Sequence, residues 1–366
     1  MAEVVGPLVF EPILKHRVWG GRRLGELLAK RMPGEGPFGE SWEVADLEDD
    51  QSVVARGPAK GRTLGELVRT WKQDLTGRAE LFDGRFPLLI KFLDARDRLS
   101  VQVHPNQAAA TRLGGRVRIK NEAWYVIDAA PGAIIHHGLR EGVDADDLRA
   151  AVAENRVEDA LRVVPVRKGH CYDLPSGTVH ALGAGIVVAE VQTPSDITYR
   201  LHDWNRIDQA TGRGRELHIA DAIASARFDA TDPEQSPEHT ASVWTTVSGL
   251  CRNDSFVIER VRMIEGVEMQ VPHAELVIWI VLDGHGSIAC DGVREPLEFR
   301  EGDTVLLPAG MKRGRVRTMA SSVWLEVTVP VRSDLSGFDR PGPSELIAPA
   351  ASRYIPLQVP RQSEGA

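Results

Sequence analysis

The chain has 366 residues, 42% of them hydrophobic, with 44 basic against 52 acidic side chains and a formal net charge of −8. That is enough apolar material for one large or two ordinary domains, and neither charge sign gathers into the long runs of a general nucleic-acid binder, although a local basic pocket for a phosphorylated metabolite is compatible with it. Cys171, Cys251 and Cys290 are isolated and form no C-x-x-C pair, which argues against a disulfide framework or a thiolate zinc site and fits a reducing cytosol.

The first residues, MAEVVGPLVFEPILKHRVWGG, have no basic stretch followed by an apolar one, and no later apolar run reaches about 18 residues. The expectation is a soluble, cytoplasmic protein with no membrane or nucleic-acid partner. Short β-favouring runs broken by Gly and Pro follow: FPLLIKFLD, LSVQVHP, AWYVIDA, GAIIHHG, GHCYDLPSG and GIVVAEVQ, then SFVIERVRMI, LVIWIVLDG, GDTVLLPAG and SSVWLEVTV. Their spacing predicts a mainly β chain of sandwiches or barrels rather than βαβ units. In LSVQVHPN (99–106) a strand puts Ser100, Gln102 and His104 on one side and Leu99, Val101 and Val103 on the other. The polar side is a candidate site, although a half-solvated strand shows the same alternation.

Helical pattern is confined to a few places, notably 143–164. There Asp144 and Asp147 are spaced as a capping box, and Leu148, Val152 and Leu161 form an approximate apolar stripe. This predicts a small helical insertion between strands. The segment RKGHCYDLPSGTVH (167–180) is repeated as REGDTVLLPAGMKR (300–313), with one offset of 133 residues separating Gly169 from Gly302, Pro175 from Pro308, Gly177 from Gly310 and His180 from Arg313. In both copies a Gly opens a strand and Pro-x-Gly suits a tight turn. WYVIDAAPGAI (124–134) is likewise similar to WIVLDGHGSI (279–288) at an offset of 155 residues. Two similar β-barrels in tandem follow. The polar stretch DATDPEQSPEHT near 226–240 marks their boundary, so the domains read as 1–228 and 229–366, ending in a frayed tail, PRQSEGA.

The G-x5-P-x-G-x2-H spacing from Gly169 to His180 resembles the second motif of the cupins, small double-stranded β-helix barrels in which that histidine is a metal ligand. The motif's final Asn is Ala184 here. KHRVWGG (15–21), GESWEV (39–44), PLLIKFLDARDRLS, IKNEAWY with Glu122, and VVAEVQTPSDITYR (187–200) together resemble the type I mannose-6-phosphate isomerases in their shorter bacterial form, over roughly residues 8–330. The resemblance implies that Gln102, His104, Glu122 and His180 of the first, catalytic cupin barrel hold zinc. The repeat, which puts no such donors at the aligned positions of the second cupin barrel, makes that barrel metal-free and the expectation one zinc ion per chain. Two imidazoles, one carboxylate and a neutral amide leave such a centre with a net charge of about +1, still a useful Lewis acid, and the same N/O donors accept Fe, Mn or Co.

The resemblance also implies isomerisation of mannose 6-phosphate to fructose 6-phosphate through a cis-enediol. In that reading Arg200 lies near the reacting carbons, Asp196 supports it, Glu190 is a candidate base or sugar contact, and Lys120 belongs to the same catalytic group. Ser100, Lys120 and Lys91 are the expected phosphate donors. A sugar-binding regulatory cupin is disfavoured by Glu190, Asp196 and Arg200. A cupin oxygenase is disfavoured by Gln as fourth ligand and the lack of an O2-specific motif. In the second barrel Arg313 stands at the place of His180 and Val277 at that of Glu122, with His273 and Glu275 an incomplete set. A monomer or weak dimer acting on a phosphorylated sugar completes the expectation.

Overall fold

The computed structural model describes residues 3–112, 119–208, 212–229, 239–271, 274–331 and 356–358. The β-rich runs form strands that pair antiparallel, as short β-branched and aromatic segments joined by tight Gly and Pro turns should. No helix among the described residues is long and apolar enough to cross a membrane. All three cysteines are buried free thiols.

The chain divides into two compact units that are interleaved in sequence: residues 1–12, 43–87 and 235–366 form one, and residues 13–42 and 88–234 the other. This differs from the expected consecutive domains 1–228 and 229–366. The reason is backbone pairing over nearly the full length of the chain. Strand Leu8–Phe10 bonds to Thr304–Leu307 on one side and to Val54–Arg56 on the other, and its three side chains are buried. A lone three-residue apolar run carries no sign of so distant a partner. The segment 62–71 is a further addition: Thr63 and Glu66 form a complete capping box on helix Leu64–Trp71, which buries Leu64, Leu67, Val68 and Trp71.

The unit made of residues 13–42 and 88–234 contains a six-stranded and a five-stranded sheet. In the first, the order runs Cys171–Leu174, Glu122–Ala129, Ile186–Gln192, Leu89–Ala95, Ile13–Gly21, Phe38–Val44; in the second, Tyr199–His202, Val101–Val103, His180–Leu182, Ile134–Leu139, Leu161–Pro165. Trp124, Val126, Ile186 and Val188 of the first sheet share one core cluster with Ile135 and Leu182 of the second, so the two sheets pack face to face. Val101, Val103, Ala181 and Leu201 point the other way, into a cluster with Leu148, Val152, Ala222 and Ile223 from two helices. The alternation read from LSVQVHPN therefore holds over Val101–His104. It fails at Leu99, which precedes the strand and joins the inter-sheet core, its N–H donating to Leu182 O at 2.8 Å.

The helical insertion is shorter than the segment 143–164. Asp144 and Asp147 do form a reciprocal capping box, but the helix covers Ala145–Ala153, a single 3-10 turn covers Val157–Ala160, and Leu161–Pro165 is a strand paired with Ile134–Leu139. Edge pairing overrides weak helical periodicity there.

The other unit repeats the same sheet order. Thr304–Leu307, Val277–Asp283, Ser322–Thr328 and Val257–Met263 stand in the succession of Cys171–Leu174, Glu122–Ala129, Ile186–Gln192 and Leu89–Ala95. Register is conserved within it: Tyr172, Trp124 and Glu190 lie side by side in one unit, and Val305, Trp279 and Glu326 in the other. Even the buried indole-to-carboxylate bond recurs, Trp124 Nε1 donating to Glu190 Oε1 at 2.9 Å and Trp279 Nε1 to Glu326 Oε2 at 3.1 Å. Gly169 and Gly302 both open their strands with left-handed backbone, φ 90° and 84°. The turn glycines differ: Gly177 has φ 91°, whereas a Cβ on Gly310 would lie 2.8 Å from that of Asp74, so close approach rather than φ demands glycine there. Arg313 departs from the expected equivalence with His180. It precedes the strand Arg315–Thr318, its side chain is 81% exposed, and it pairs with Asp291 at 2.6 Å.

His136 is buried beside Trp204, ring centroids 5.8 Å apart, and its Nδ1 has no hydrogen-bond partner among the described residues. Burial chiefly holds its pKa below the ordinary imidazole value, with Glu158 opposing and Arg98 assisting. The unfolded chain takes up a proton near pH 6.5 where the folded ring stays neutral, so stability is full above about pH 6.5 and falls as pH drops below it. Urea midpoints measured at about pH 7.5 and 5.5 should show this fall, and His136→Leu should reduce it. An identical fall in the variant would assign the effect to other groups.

Candidate metal centre and substrate cavity

The candidate site lies within the unit of residues 13–42 and 88–234. His180 is the ladder neighbour of Gln102, and Gln102 is in turn the neighbour of Arg200, so three adjacent strands set Arg200, Gln102 and His180 in a row. Directly opposed side chains on neighbouring strands share a face with Cβ atoms about 4.5–5.5 Å apart. In the six-stranded sheet the matching row is Trp124, Glu190 and Lys91, with Glu122 two residues before Trp124 on the same face.

His104, Glu122 and His180, all buried, offer ligand atoms that lie within 4.8 Å of one another. Glu122 Oε2 is 3.0 Å from His104 Nε2 and 3.4 Å from His180 Nε2. The other nitrogen of each ring faces a backbone carbonyl: His104 Nδ1 donates to Ile197 O at 3.0 Å and His180 Nδ1 to Thr178 O at 2.9 Å. A carbonyl only accepts, so both Nδ1 atoms carry the proton and both Nε2 atoms present a lone pair. Two lone pairs then converge on a carboxylate oxygen, with all three side chains only 2% exposed. Such a set is repulsive unless a cation occupies its centre. Tetrahedral bonds of about 2.1 Å would separate the donors by roughly 3.4 Å, close to the spacing observed.

Protonation agrees. Burial is the main influence on both rings and keeps them neutral, lowering His104 to about 4 despite the pull of Glu122. Burial opposes the charge on Glu122, but His104, where its ring carries a second proton, and the Lys120 ammonium outweigh it and hold the carboxyl well below its usual range, Lys120 alone doing so once the ring is neutral. Neutral imidazoles and an ionised carboxylate are the ligand forms a metal requires. Residues of the same set therefore fit a divalent ion with Gln102 beside them.

A cavity of about 470 Å³ opens at this cluster. Every other residue singled out from the sequence for the site lines it: Ser100, Gln102, Lys91, Lys120, Glu190, Asp196 and Arg200. Lys120 Nζ sits 2.6 Å from Glu122 Oε1, and Lys91 Nζ is 3.0 Å from Glu190 Oε2 and 2.7 Å from Gln192 Oε1. Burial works against the charge on Lys91, yet Glu190, Glu40 and Glu122 more than offset it and raise its pKa. The expected support of Arg200 by Asp196 differs from the geometry. Asp196 is exposed at the cavity wall, while Arg200 Nη1 donates to Glu216 O at 2.8 Å, and after burial the charges acting on Arg200 are those of Arg215, Asp203 and Glu216.

Sequence reasoning assigned no role to Arg17, Glu40, Trp42 or Arg215, which also line the cavity. Arg17 grips Glu40 through two bonds of 2.7 and 3.2 Å, and Trp42 Nε1 donates to the same carboxylate at 2.6 Å. Burial resists the Glu40 charge, but Lys91 and Arg17 prevail and lower its pKa. The motifs KHRVWGG and GESWEV were the available signal for these residues. His273 and residues 113–118 lie outside the described residues, as do most of the expected boundary segment and the terminal tail. Among the described residues no second His/Cys/Asp/Glu cluster of this kind occurs; the positions equivalent to Glu122 and Trp124 are the buried Val277 and Trp279.

Fold and donor set thus define a mainly β protein with a candidate metal centre at a polar cavity. The profile of the family described as phosphomannose isomerase type I, catalytic domain, matches residues 8–129. The chain is 33% identical over 317 residues to mannose-6-phosphate isomerase ManA of Bacillus subtilis, covering 87% of this chain and 98% of the relative. It is 35% identical over 311 residues to mannose-6-phosphate isomerase of Streptococcus mutans, covering 84% and 93%. The crystal structure of the Bacillus subtilis mannose 6-phosphate isomerase superposes with a TM-score of 0.79 at 30% identity, over 88% of this chain and 99% of that one. The chain belongs to the type I phosphomannose isomerase family of enzymes.

His104→Ala and His180→Ala should each weaken metal binding by more than the roughly 10–100-fold that loss of an outer hydrogen-bond partner costs. Elemental analysis after gel filtration checks this. Full occupancy in either folded variant would remove that histidine from the ligand set.

Proposed function

We propose that this cavity interconverts mannose 6-phosphate and fructose 6-phosphate through a cis-enediol(ate), with one zinc ion per chain. The carrying observation is the convergence of two imidazole lone pairs and a carboxylate at the base of a lysine- and arginine-lined cavity, in a chain of this family. His104, His180 and Glu122 would hold the ion with Gln102 as the fourth donor, and the ion supplies Lewis acidity that favours loss of the proton beside a carbonyl.

The chain's own groups manage the rest. Isomerisation moves a proton between neighbouring carbons while negative charge builds on their oxygens. Arg200, placed across the strand from Gln102, meets that charge, and Lys120, held against the second oxygen of Glu122, donates to a neighbouring sugar oxygen. Glu190 has both oxygens engaged, one by Trp124 and one by Lys91, so it acts by orienting Lys91 and contacting the sugar rather than as a free base. Ser100 turns its hydroxyl to the substrate's phosphate. The shared sheet order and register of the two units support a pair of cupin barrels, of which the second, lined by Val277 and Trp279, takes no ion. A cytoplasmic location fits the three buried cysteines, none of them in a disulfide.

A coupled assay on the purified protein tests the reading. Mannose 6-phosphate should be turned over, activity should disappear with chelator and return with about one equivalent of zinc per chain. No turnover with the metal fully loaded would overturn the assignment. Arg200→Ala should leave metal content intact and lower kcat by roughly 100-fold or more while changing KM little, as for a group acting mainly in the transition state. A change confined to KM would place Arg200 in ground-state binding instead.

A further inference from the structure

We propose that Arg215 binds the phosphate of the substrate, at the end of the cavity marked by Ser100. This deepens the reading above and rests on its phosphorylated substrate.

Three observations carry it. The first is position. Strand Tyr199–His202 runs antiparallel to Val101–Val103, with Arg200 opposite Gln102 and His202 opposite Val101, so the chain beyond His202 advances toward Ser100. Trp204 Nε1 closes that direction by donating to Leu99 O at 2.6 Å. Asp203 lies between, and Arg215 is fastened to it by two bonds of 2.8 and 2.6 Å. Arg200 binds the carbonyl of Glu216, the next residue after Arg215, which seats this turn against the cavity wall.

The second is charge. At the metal end the cations are matched one to one by buried carboxylates: Lys91 by Glu190, Lys120 by Glu122 and Arg17 by Glu40. The charge of those lysines, expected from sequence to hold phosphate, is therefore already balanced, which leaves them neutral hydrogen-bonding work more than the binding of a dianion. At the Asp203 end three guanidiniums, Arg200, Arg206 and Arg215, gather around one buried carboxylate. The remaining acids, Asp97 and Glu216, are 56% and 83% exposed, and solvent screens them. The proximity of Arg215 also acts, after burial, to lower the pKa of Arg200, which is what two cations sharing too little counter-charge should show.

The third is unfilled bonding capacity. Nε and Nη2 of Arg215 are taken by Asp203, while its Nη1 has no partner among the described residues. Arg200 Nε is likewise buried without one. The Asp203 fork fixes the Arg215 plane at little further entropy cost and leaves an N–H edge for a phosphate oxygen, the geometry at which arginine excels.

Inorganic phosphate provides a probe independent of turnover. Calorimetric titration of the full-length wild-type protein should show phosphate binding. Arg215→Gln should weaken it by roughly tenfold to a hundredfold, the range for one charge-assisted hydrogen bond, and Arg215→Lys should recover part of the loss. In the coupled assay the same substitution should raise KM for mannose 6-phosphate with kcat within about threefold. Arg206→Gln removes a cation from the same carboxylate but not from the cavity lining, and should leave phosphate affinity within about twofold. Absence of phosphate binding in the wild type, an unchanged constant in folded Arg215→Gln, or an equal loss in Arg206→Gln would each overturn the proposal. Phosphate binding that depends on Arg215 in a protein without isomerase activity would support the clamp and defeat only the broader reading.

Discussion

Two imidazole lone pairs and a carboxylate oxygen, brought within a few ångströms on buried side chains, are the constraint around which the rest of the site is built. Left alone, three acceptors repel, and a fold would ordinarily relieve them by a flipped ring or a shared proton. Here each ring is locked by an Nδ1–H donated to a main-chain carbonyl, and burial keeps both neutral. The arrangement thus directs stability gained elsewhere in the fold into a preformed candidate cation site. Its donors come from two different sheets, so their spacing depends on the packing of Trp124, Ile135, Leu182 and Val188 between them.

Around that centre, low dielectric sets the pattern of charge. A buried lysine or glutamate is costly unless paired, and the cavity meets this by coupling Lys120 to Glu122, Lys91 to Glu190 and Arg17 to Glu40. Such pairs hold their members in place, and they leave little free positive charge near the metal end. The arginine-rich turn at Asp203 has the opposite balance. One cavity therefore offers two electrostatically distinct ends, one where charges are paired and one where guanidiniums outnumber the buried carboxylate they share.

The two units use one scaffold in two ways. Their sheets share order and register, and each keeps a buried tryptophan donating to a glutamate on the next strand. Where the first unit has Glu122, the second has Val277, packed with Trp279, Leu307, Met311 and Trp324 into a continuous apolar core. That position therefore offers no lone pair, whereas Arg313, aligned with His180 in the repeat, faces solvent and pairs with Asp291.

The amino-acid sequence by itself determined the local features: the strands, the Asp144–Asp147 cap, the repeat at an offset of 133 residues and the alternation that puts Gln102 and His104 apart from Val101 and Val103. These follow from side-chain period, turn chemistry and capping, all of which act within a few residues. The family motifs likewise picked out Gln102, His104, Glu122, His180, Lys91, Lys120, Glu190 and Arg200, which the structure gathers at one cavity and the cluster beside it. Tertiary structure alone decided what depends on distant partners. Strand Leu8–Phe10 joins Thr304–Leu307, Leu161–Pro165 is drawn from a helical pattern into a sheet edge, and Leu99 turns into the core. It also set the separation of Asp196 from Arg200 and the approach of Arg215, since an ion pair is a matter of position in space, and spacing along the chain says nothing of which carboxylate a guanidinium will meet.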